Sequence, residues 1–389
     1  MPDERRIAMK KILFILPSIG VGGMERVLVT LANRLDAIGH SVTVVTFQPP
    51  FELRDELSKN ITFKYKPTNN RPGNKIPYIR HKYYDGGMWE KRASARTLYR
   101  YFTDGEKFDV EIAFFRGTAI KAISGSTNKN AVRLAWVHSD FSKTDNYKIK
   151  FSSDGQIYDA YASFDKVICV SKQAAKAFKE TVGDTKNITT IYNPMPVNDI
   201  LRKSQEAPKI KVKKAALNVV MVSRLFDKAK GLFRAVSAVS RLHTEGADIS
   251  LTIVGDGEDR DNLRRCISEN NAEDYITMTG NQSNPFPYVK AADLMLCASY
   301  YEGFSLNVCE AVIIGTPVLS TQCTGPCEIL DNGKYGMITE NSGQGLYEGL
   351  KKLYYTPDLL EEYRQKTAKR IDFFNDEAII KQITGLFIK

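Results

Sequence analysis

Residues 301–310 read Tyr301-Glu302-Gly303-Phe304-Ser305-Leu306-Asn307-Val308-Cys309-Glu310, two glutamates with seven residues between them, a glycine after the first and a helix start before the second. The apolar run at 292–298 has the length of a buried strand, and residues 306–315 read as a short helix stopped by Gly315 and Pro317. Such a strand delivers Glu302 to its carboxyl end. The backbone N–H groups after Gly303, those of Phe304, Ser305 and Leu306, then point out of a helix N-terminus, which is a seat for a phosphate. Glu310 stands on the order of 7 Å further along the helix, its side chain tilted back towards that terminus. Two acidic acceptors flank one phosphate seat, an arrangement that suits a ligand with hydroxyls at both ends and an anion between them, as in a nucleotide sugar. The plainer alternative is a pair of unrelated glutamates near a helix start, one of them serving the helix dipole.

The rest of the chain bears on the choice. Its 389 residues are about twice a typical domain, so two domains are expected. No apolar run approaches the ~18 residues of a membrane span, and residues 12–16 are too short for a secretory signal, which predicts a cytoplasmic protein. Six dispersed cysteines read as reduced thiols. Cys323 and Cys327 form the one close pair, without a histidine at metal-ligand spacing. The net charge of +10 lies in one half: residues 1–200 hold 31 Lys and Arg against 21 Asp and Glu, and residues 201–389 hold 24 of each. Within residues 59–100, eleven basic and two acidic residues alternate with Tyr and Trp. That mixture suits an anionic membrane surface or an anionic acceptor, and equally a solvated basic face. No recognised nucleic-acid motif accompanies it, so nucleic acid is not expected as a partner.

Along the first half, a strand at 10–16, a glycine turn containing Gly20, Gly22 and Gly23, a helix at 24–37 and a strand at 41–47 make a parallel crossover unit. The glycines run G-x-G-G and the second strand ends in Thr46-Phe47-Gln48, with no acid for a ribose, which argues against a nicotinamide cofactor. Further strands are expected at 110–115, 131–137, 166–170 and 188–192, with Ser171 as N-cap of a helix at 172–181. His138 ends the strand at 131–137, where ligands bind in open α/β sheets. The polar stretch 199–214 reads as a linker.

The second half begins another α/β unit with a strand at 217–222. Arg224 and Lys230 follow it at a strand end and a helix start, where two cations can clamp the two phosphates of a nucleoside diphosphate. A strand at 249–254 and a turn Gly255-Asp256-Gly257 repeat the pattern. Asp259-Arg260-Asp261 has the form of a metal-binding D-x-D, but in a first helical turn these acids are explained by the helix dipole. Strands are also expected at 275–279 and 317–320, with closing helices at 343–353 and 358–373.

The order of glycine loop, His138, Arg224 and Lys230, glycine turn and then Glu302 and Glu310 resembles the retaining family 4 glycosyltransferases of bacterial surface-polysaccharide synthesis, with their E-x7-E motif. That resemblance implies the α/β GT-B fold: two Rossmann-like domains facing each other across a cleft, a last helix crossing back to the first domain. Here the domains would be 1–200, with the final helix at 374–389, and 201–373. In such enzymes the first carboxylate, here Glu302, holds hydroxyls of the donor sugar, and the second, Glu310, holds the ribose. The Arg and Lys pair, here Arg224 and Lys230, neutralises the diphosphate, and a histidine matching His138 touches the donor sugar. Gly22 and Gly23 would let backbone approach the donor phosphate, Asn281 would contact the base, and the amides of residues 303–306 would face the diphosphate. The resemblance implies a UDP-sugar donor, a saccharide or polyprenyl-linked acceptor, and neither metal nor cofactor. It departs from the family at Val222-Ser223-Arg224, where a glycine often precedes the arginine. A nucleotide-sugar epimerase or a non-catalytic nucleotide-sugar-binding protein remain the alternatives.

Overall fold

Five of the six side chains of β1 (Lys11–Leu16) are shielded from solvent, because this strand lies inside a parallel sheet and parallel sheets are covered on both faces. The computed structural model describes residues 9–68, 88–143 and 151–388. By contacts the chain divides into two units, one formed by Met1–Pro194 with Glu377–Lys389 and the other by Met195–Asp376. The final helix, Asp376–Gly385, thus belongs almost wholly to the first unit, as the GT-B expectation requires.

In the first unit, β1 is joined by β2 (Ser41–Thr46), β3 (Thr62–Tyr65), β4 (Val110–Ala113), β5 (Val132–Val137), β6 (Lys166–Cys169) and β7 (Ile188–Thr190). All pair in parallel in the order β3-β2-β1-β4-β5-β6-β7, with Leu13 opposite Thr43 on one side and Glu111 on the other. The strand order reverses between β1 and β4. Ser171 accepts a hydrogen bond from the Ala174 N–H, capping the helix Lys172–Thr181 as its sequence predicts.

The second unit repeats the plan with β8 (Leu217–Val222), β9 (Ile249–Val254), β10 (Ile276–Gly280), β11 (Leu294–Cys297), β12 (Val318–Thr321) and β13 (Met337–Thr339), ordered β10-β9-β8-β11-β12-β13. Here the reversal falls between β8 and β11. Its core gathers apolar side chains of β8, β9 and β11 with those of the helices Leu232–Thr244 and Gly343–Tyr355.

Some expectations need correction. The stretch read as a linker is overlapped at its start by a helix, Val197–Ser204, which buries Ile200 and packs on the helices Phe286–Lys290 and Leu306–Ile314. The second unit therefore begins at Met195, ahead of the expected border. Strands β3 and β13, short edge strands with polar residues, had no counterpart in the sequence reading. Within the basic segment, residues 69–87 lie outside the described residues. Lys64 and Lys66, inside them, are paired with Glu106 and Asp104. Among the described residues no helix is long and apolar enough to cross a membrane.

Candidate active site

Where a parallel sheet reverses its strand order, the loops at the carboxyl ends of the two central strands part and leave a crevice. In the second unit those strands are β8 and β11. The loop after β8 carries Arg224 and Lys230; the loop after β11 carries Glu302.

Three backbone hydrogen bonds fix the Arg224 loop: Ser223 N–H to the Val254 carbonyl, Leu225 N–H to Asp256 and Asp259 N–H to Leu225, each at 3.0 Å. Gly255 adopts φ +141°, and a Cβ on it would stand 1.9 Å from the Ser223 carbonyl oxygen, so only glycine lets the two turns meet. The absence of a glycine just before Arg224 is thereby matched by the glycine in the facing turn. Arg224 is exposed, its guanidinium 5.6 Å from the Phe226 ring centroid.

Lys230 closes the short helix Asp227–Lys230, which ends on Gly231 at φ +62°. A Cβ at Gly231 would lie 2.2 Å from the Ala298 carbonyl oxygen, so this backbone rests directly against the end of β11. That contact brings the Lys230 ammonium to 2.6 Å from Glu302 Oε1, across 72 residues of sequence. Both side chains are largely covered. Burial works against the charge on Lys230, the Glu302 carboxylate outweighs it, and the ammonium titrates above its ordinary value; nearby Arg224 pulls the other way.

Glu302 Oε1 accepts a second hydrogen bond, 2.8 Å from Ser299 Oγ. After Glu302 the chain turns into the helix Leu306–Ile314, whose first turn has no side-chain cap and which ends on Gly315 in the left-handed conformation. The Asn307 amide donates to the Val222 carbonyl and ties the start of this helix to the end of β8. Glu310 lies in its second turn, partly buried. Asn281 follows β10 at the sheet edge and is exposed.

Other polar groups have structural occupations. Asp259 accepts from the Asp227 N–H at 2.8 Å and Asp261 pairs with Arg264 at 3.6 Å, so Asp259 serves a neighbouring turn besides its own helix. All six cysteines are free thiols, and burial pushes Cys323 up to about 12. Among the described residues no cluster of three metal-ligating side chains occurs.

Gly22, Gly23 and His138 lie in the first unit. Gly22 is the N-cap of the helix Gly23–Ala37 after β1. His138 follows β5, its ring 4.5 Å from that of Phe114. Burial, then the neighbouring Arg116 charge, depress its pKa to about 3 against the pull of a backbone hydrogen bond at Phe114, and its Nε2 has no partner. The ring is neutral and one nitrogen is unengaged. Sequence reading did not single out Ser299, Thr321, Arg234 or Asn341, which hold the Glu302 loop; the spacing Ser299-x-x-Glu302 was the one local signal for them.

Comparison with known proteins bears on the family and the fold. The family described as "Glycosyl transferases group 1" matches residues 203–370, and that described as "Glycosyltransferase Family 4" matches residues 21–199. A Haemophilus influenzae protein named "Uncharacterized glycosyltransferase" is 25% identical over 384 residues, spanning 97% of this chain and 100% of that one. The Campylobacter jejuni N-acetylgalactosamine-N,N'-diacetylbacillosaminyl-diphospho-undecaprenol 4-alpha-N-acetylgalactosaminyltransferase is 28% identical over 198 residues, 50% of this chain and 52% of that one. Among solved structures, S. aureus TarM, as a mutant in complex with fondaparinux, alpha-GlcNAc-glycerol and UDP, superimposes with a TM-score of 0.75 at 16% identity, covering 98% of this chain and 100% of its own. Anabaena HepE in complex with UDP-glucose does so with a TM-score of 0.71 at 20% identity, covering 97% and 98%. With two parallel-sheet Rossmann-like units in GT-B form and two family matches that between them run from residue 21 to 370, the chain belongs to the family 4, group 1 glycosyltransferases.

Proposed function

We propose that this glycosyltransferase moves a sugar from a nucleoside-diphosphate sugar, specifically a UDP-sugar, to a saccharide or lipid-linked saccharide acceptor in surface-polysaccharide synthesis, with retention of anomeric configuration. The observation that carries the reading is the meeting of Lys230, Arg224 and Glu302 at the point where the second sheet reverses its strand order. Two cations and one carboxylate there match a ligand whose anionic centre is flanked by hydroxyls. Names and complexes of relatives point the same way: HepE with UDP-glucose, TarM with UDP, and the Campylobacter transferase named for an undecaprenol-linked saccharide.

In this reading catalysis is positioning and charge neutralisation. Arg224, Lys230 and the amides of residues 303–306 stabilise the departing diphosphate. A diphosphate oxygen accepts the acceptor hydroxyl's proton on the face from which it leaves, so the new bond forms on the face of the old one. Glu302 orients the donor sugar through its hydroxyls, Glu310 the ribose, and Asn281 the base, while Gly22 and Gly23 admit backbone close to the donor phosphate. The neutral His138, with Nε2 unengaged, is suited to a sugar hydroxyl rather than to proton abstraction. The positive charge the leaving group calls for is supplied by side chains, with no metal or cofactor invoked. The basic excess of residues 1–200 supports an acceptor presented at the anionic cytoplasmic face of a membrane.

Release of UDP from a panel of UDP-sugars, measured with wild type and Glu302→Ala, tests the proposal. A transferase loses turnover at saturating donor when Glu302 is removed, whereas a binding protein loses affinity alone. Sugar released with no UDP, or an epimerised nucleotide sugar, overturns it.

A further inference from the structure

We infer that Ser299 is a positioning residue for Glu302, fixing which carboxylate oxygen faces the ligand; the inference rests on the reading that Glu302 holds sugar hydroxyls. Glu302 Oε1 takes two donors, the Lys230 ammonium at 2.6 Å and the Ser299 hydroxyl at 2.8 Å. Among the described residues Oε2 accepts no hydrogen bond from the protein and is left to a ligand. In the proposed reaction Lys230 also serves the diphosphate, so its grip on Oε1 is shared between two anions. The Ser299 hydroxyl accepts from the Cys297 thiol at 3.8 Å and donates its own proton to Glu302, so it holds the carboxylate plane when Lys230 is drawn towards phosphate.

The backbone around Ser299 is built to make that hydroxyl immobile. Ser299 is 2% exposed. Its carbonyl accepts from Thr321 Oγ1 at 2.6 Å and from Cys323 Sγ at 2.9 Å. The preceding Ala298 carbonyl accepts from Arg234 Nε at 2.8 Å and Nη2 at 2.5 Å. On the other side, the Tyr300 N–H donates to the Ala229 carbonyl at 2.9 Å and the Tyr300 carbonyl accepts from the Asn341 amide at 2.9 Å. Three consecutive residues are thus tied to β12, to the helix Leu232–Thr244, to the segment carrying Lys230 and to Asn341. Sites are held to catalytic tolerance by such supporting bonds, and a loop that served only to connect strand and helix has no need of them.

The test compares Ser299→Ala, Ser299→Thr and Glu302→Ala in the full chain. It measures kcat for UDP release from UDP-glucose, UDP-galactose, UDP-N-acetylglucosamine and UDP-N-acetylgalactosamine, the Kd for UDP by calorimetry, and the melting temperature. The loss of a hydrogen bond to a charged group predicts a fall of about 10- to 100-fold in kcat for Ser299→Ala on the sugar that turns over fastest. UDP affinity and melting temperature stay at wild-type values, and Ser299→Thr, which keeps the hydroxyl, recovers most of the rate. Wild-type kcat in Ser299→Ala beside an impaired Glu302→Ala overturns the inference and leaves the proposed function standing. So does a Ser299→Ala variant in which kcat, UDP affinity and melting temperature all fall together, since that is the mark of a structural residue. Unimpaired turnover in Glu302→Ala overturns the reading on which the inference rests.

Discussion

Lys230 shows how much of the site depends on one side chain. It is the cation of a partly covered pair with Glu302 and, in the proposed reaction, a clamp on the leaving diphosphate. Lys230→Met keeps the apolar stem and removes the charge, so kcat is expected to fall by about 100- to 1,000-fold, the scale for losing one preorganised electrostatic donor. UDP binding measured by calorimetry should weaken in the same variant. In the proposed reaction the neutralising charges are side chains, so turnover in excess EDTA is expected to equal turnover without it; loss of activity on chelation would contradict this. His138 offers a pH prediction. With a folded pKa of about 3 its ring stays neutral at pH 5 and above, so NMR titration should show no ionisation of His138 near 6.5. The unfolded imidazole takes up a proton near its ordinary value and the folded one only near 3, so the stability due to this residue is present above 6.5 and declines as pH falls through that window. Arg224, Lys230 and Glu302 were legible because each sits at a strand end or helix start that the apolar pattern marks. Ser299 and Arg234 were not, because their partners, Glu302 and Ala298, are meaningful only once β11 and its loop are folded against the neighbouring helix.

At the scale of elements, the site exists because turns approach closely enough for backbone to touch backbone. Gly255→Ala puts a methyl 1.9 Å from the Ser223 carbonyl oxygen at a φ that L-residues avoid. It is expected to lower stability by about 2 kcal/mol or more in chemical denaturation, from strain and overpacking together. Turnover should fall as well, since the Arg224 loop must shift. Normal stability and rate in this variant would contradict the account of that loop. Elements buried on both sides were read closely: β8 at Leu217–Val222 and β9 at Ile249–Val254 match their expected limits. The edge strands β3 and β13 were not. In β3, Thr62–Tyr65, Thr and Lys alternate with Phe and Tyr, but the run is four residues long and no side chain in it is fully buried, too short a signal to mark a strand. The helix Val197–Ser204 escaped for a related reason. Five of its eight residues are polar or charged, and Ile200 and Ser204 are the positions it buries, too few to mark an apolar face.

For the whole molecule, the chain leaves the first unit at Pro194, builds the second, and returns at Glu377. The returning helix and its tail bury Ile379, Ile380, Ile383 and Phe387, the last with its ring 5.7 Å from that of His40. Each such side chain contributes about 1.5–3 kcal/mol of burial. Truncation after Asp376 is therefore expected to destabilise the first unit, visible as a lower melting transition or insoluble protein, and an unchanged melting curve would count against it. The central claim is that one ligand, a nucleoside diphosphate with its sugar, lies at the strand-order reversal of the second sheet. A crystal structure with UDP tests it most directly. The account predicts the diphosphate between Arg224 and Lys230 at the start of the helix Leu306–Ile314, with the ribose hydroxyls on Glu310; UDP bound elsewhere, or with these side chains turned away from it, would contradict the account.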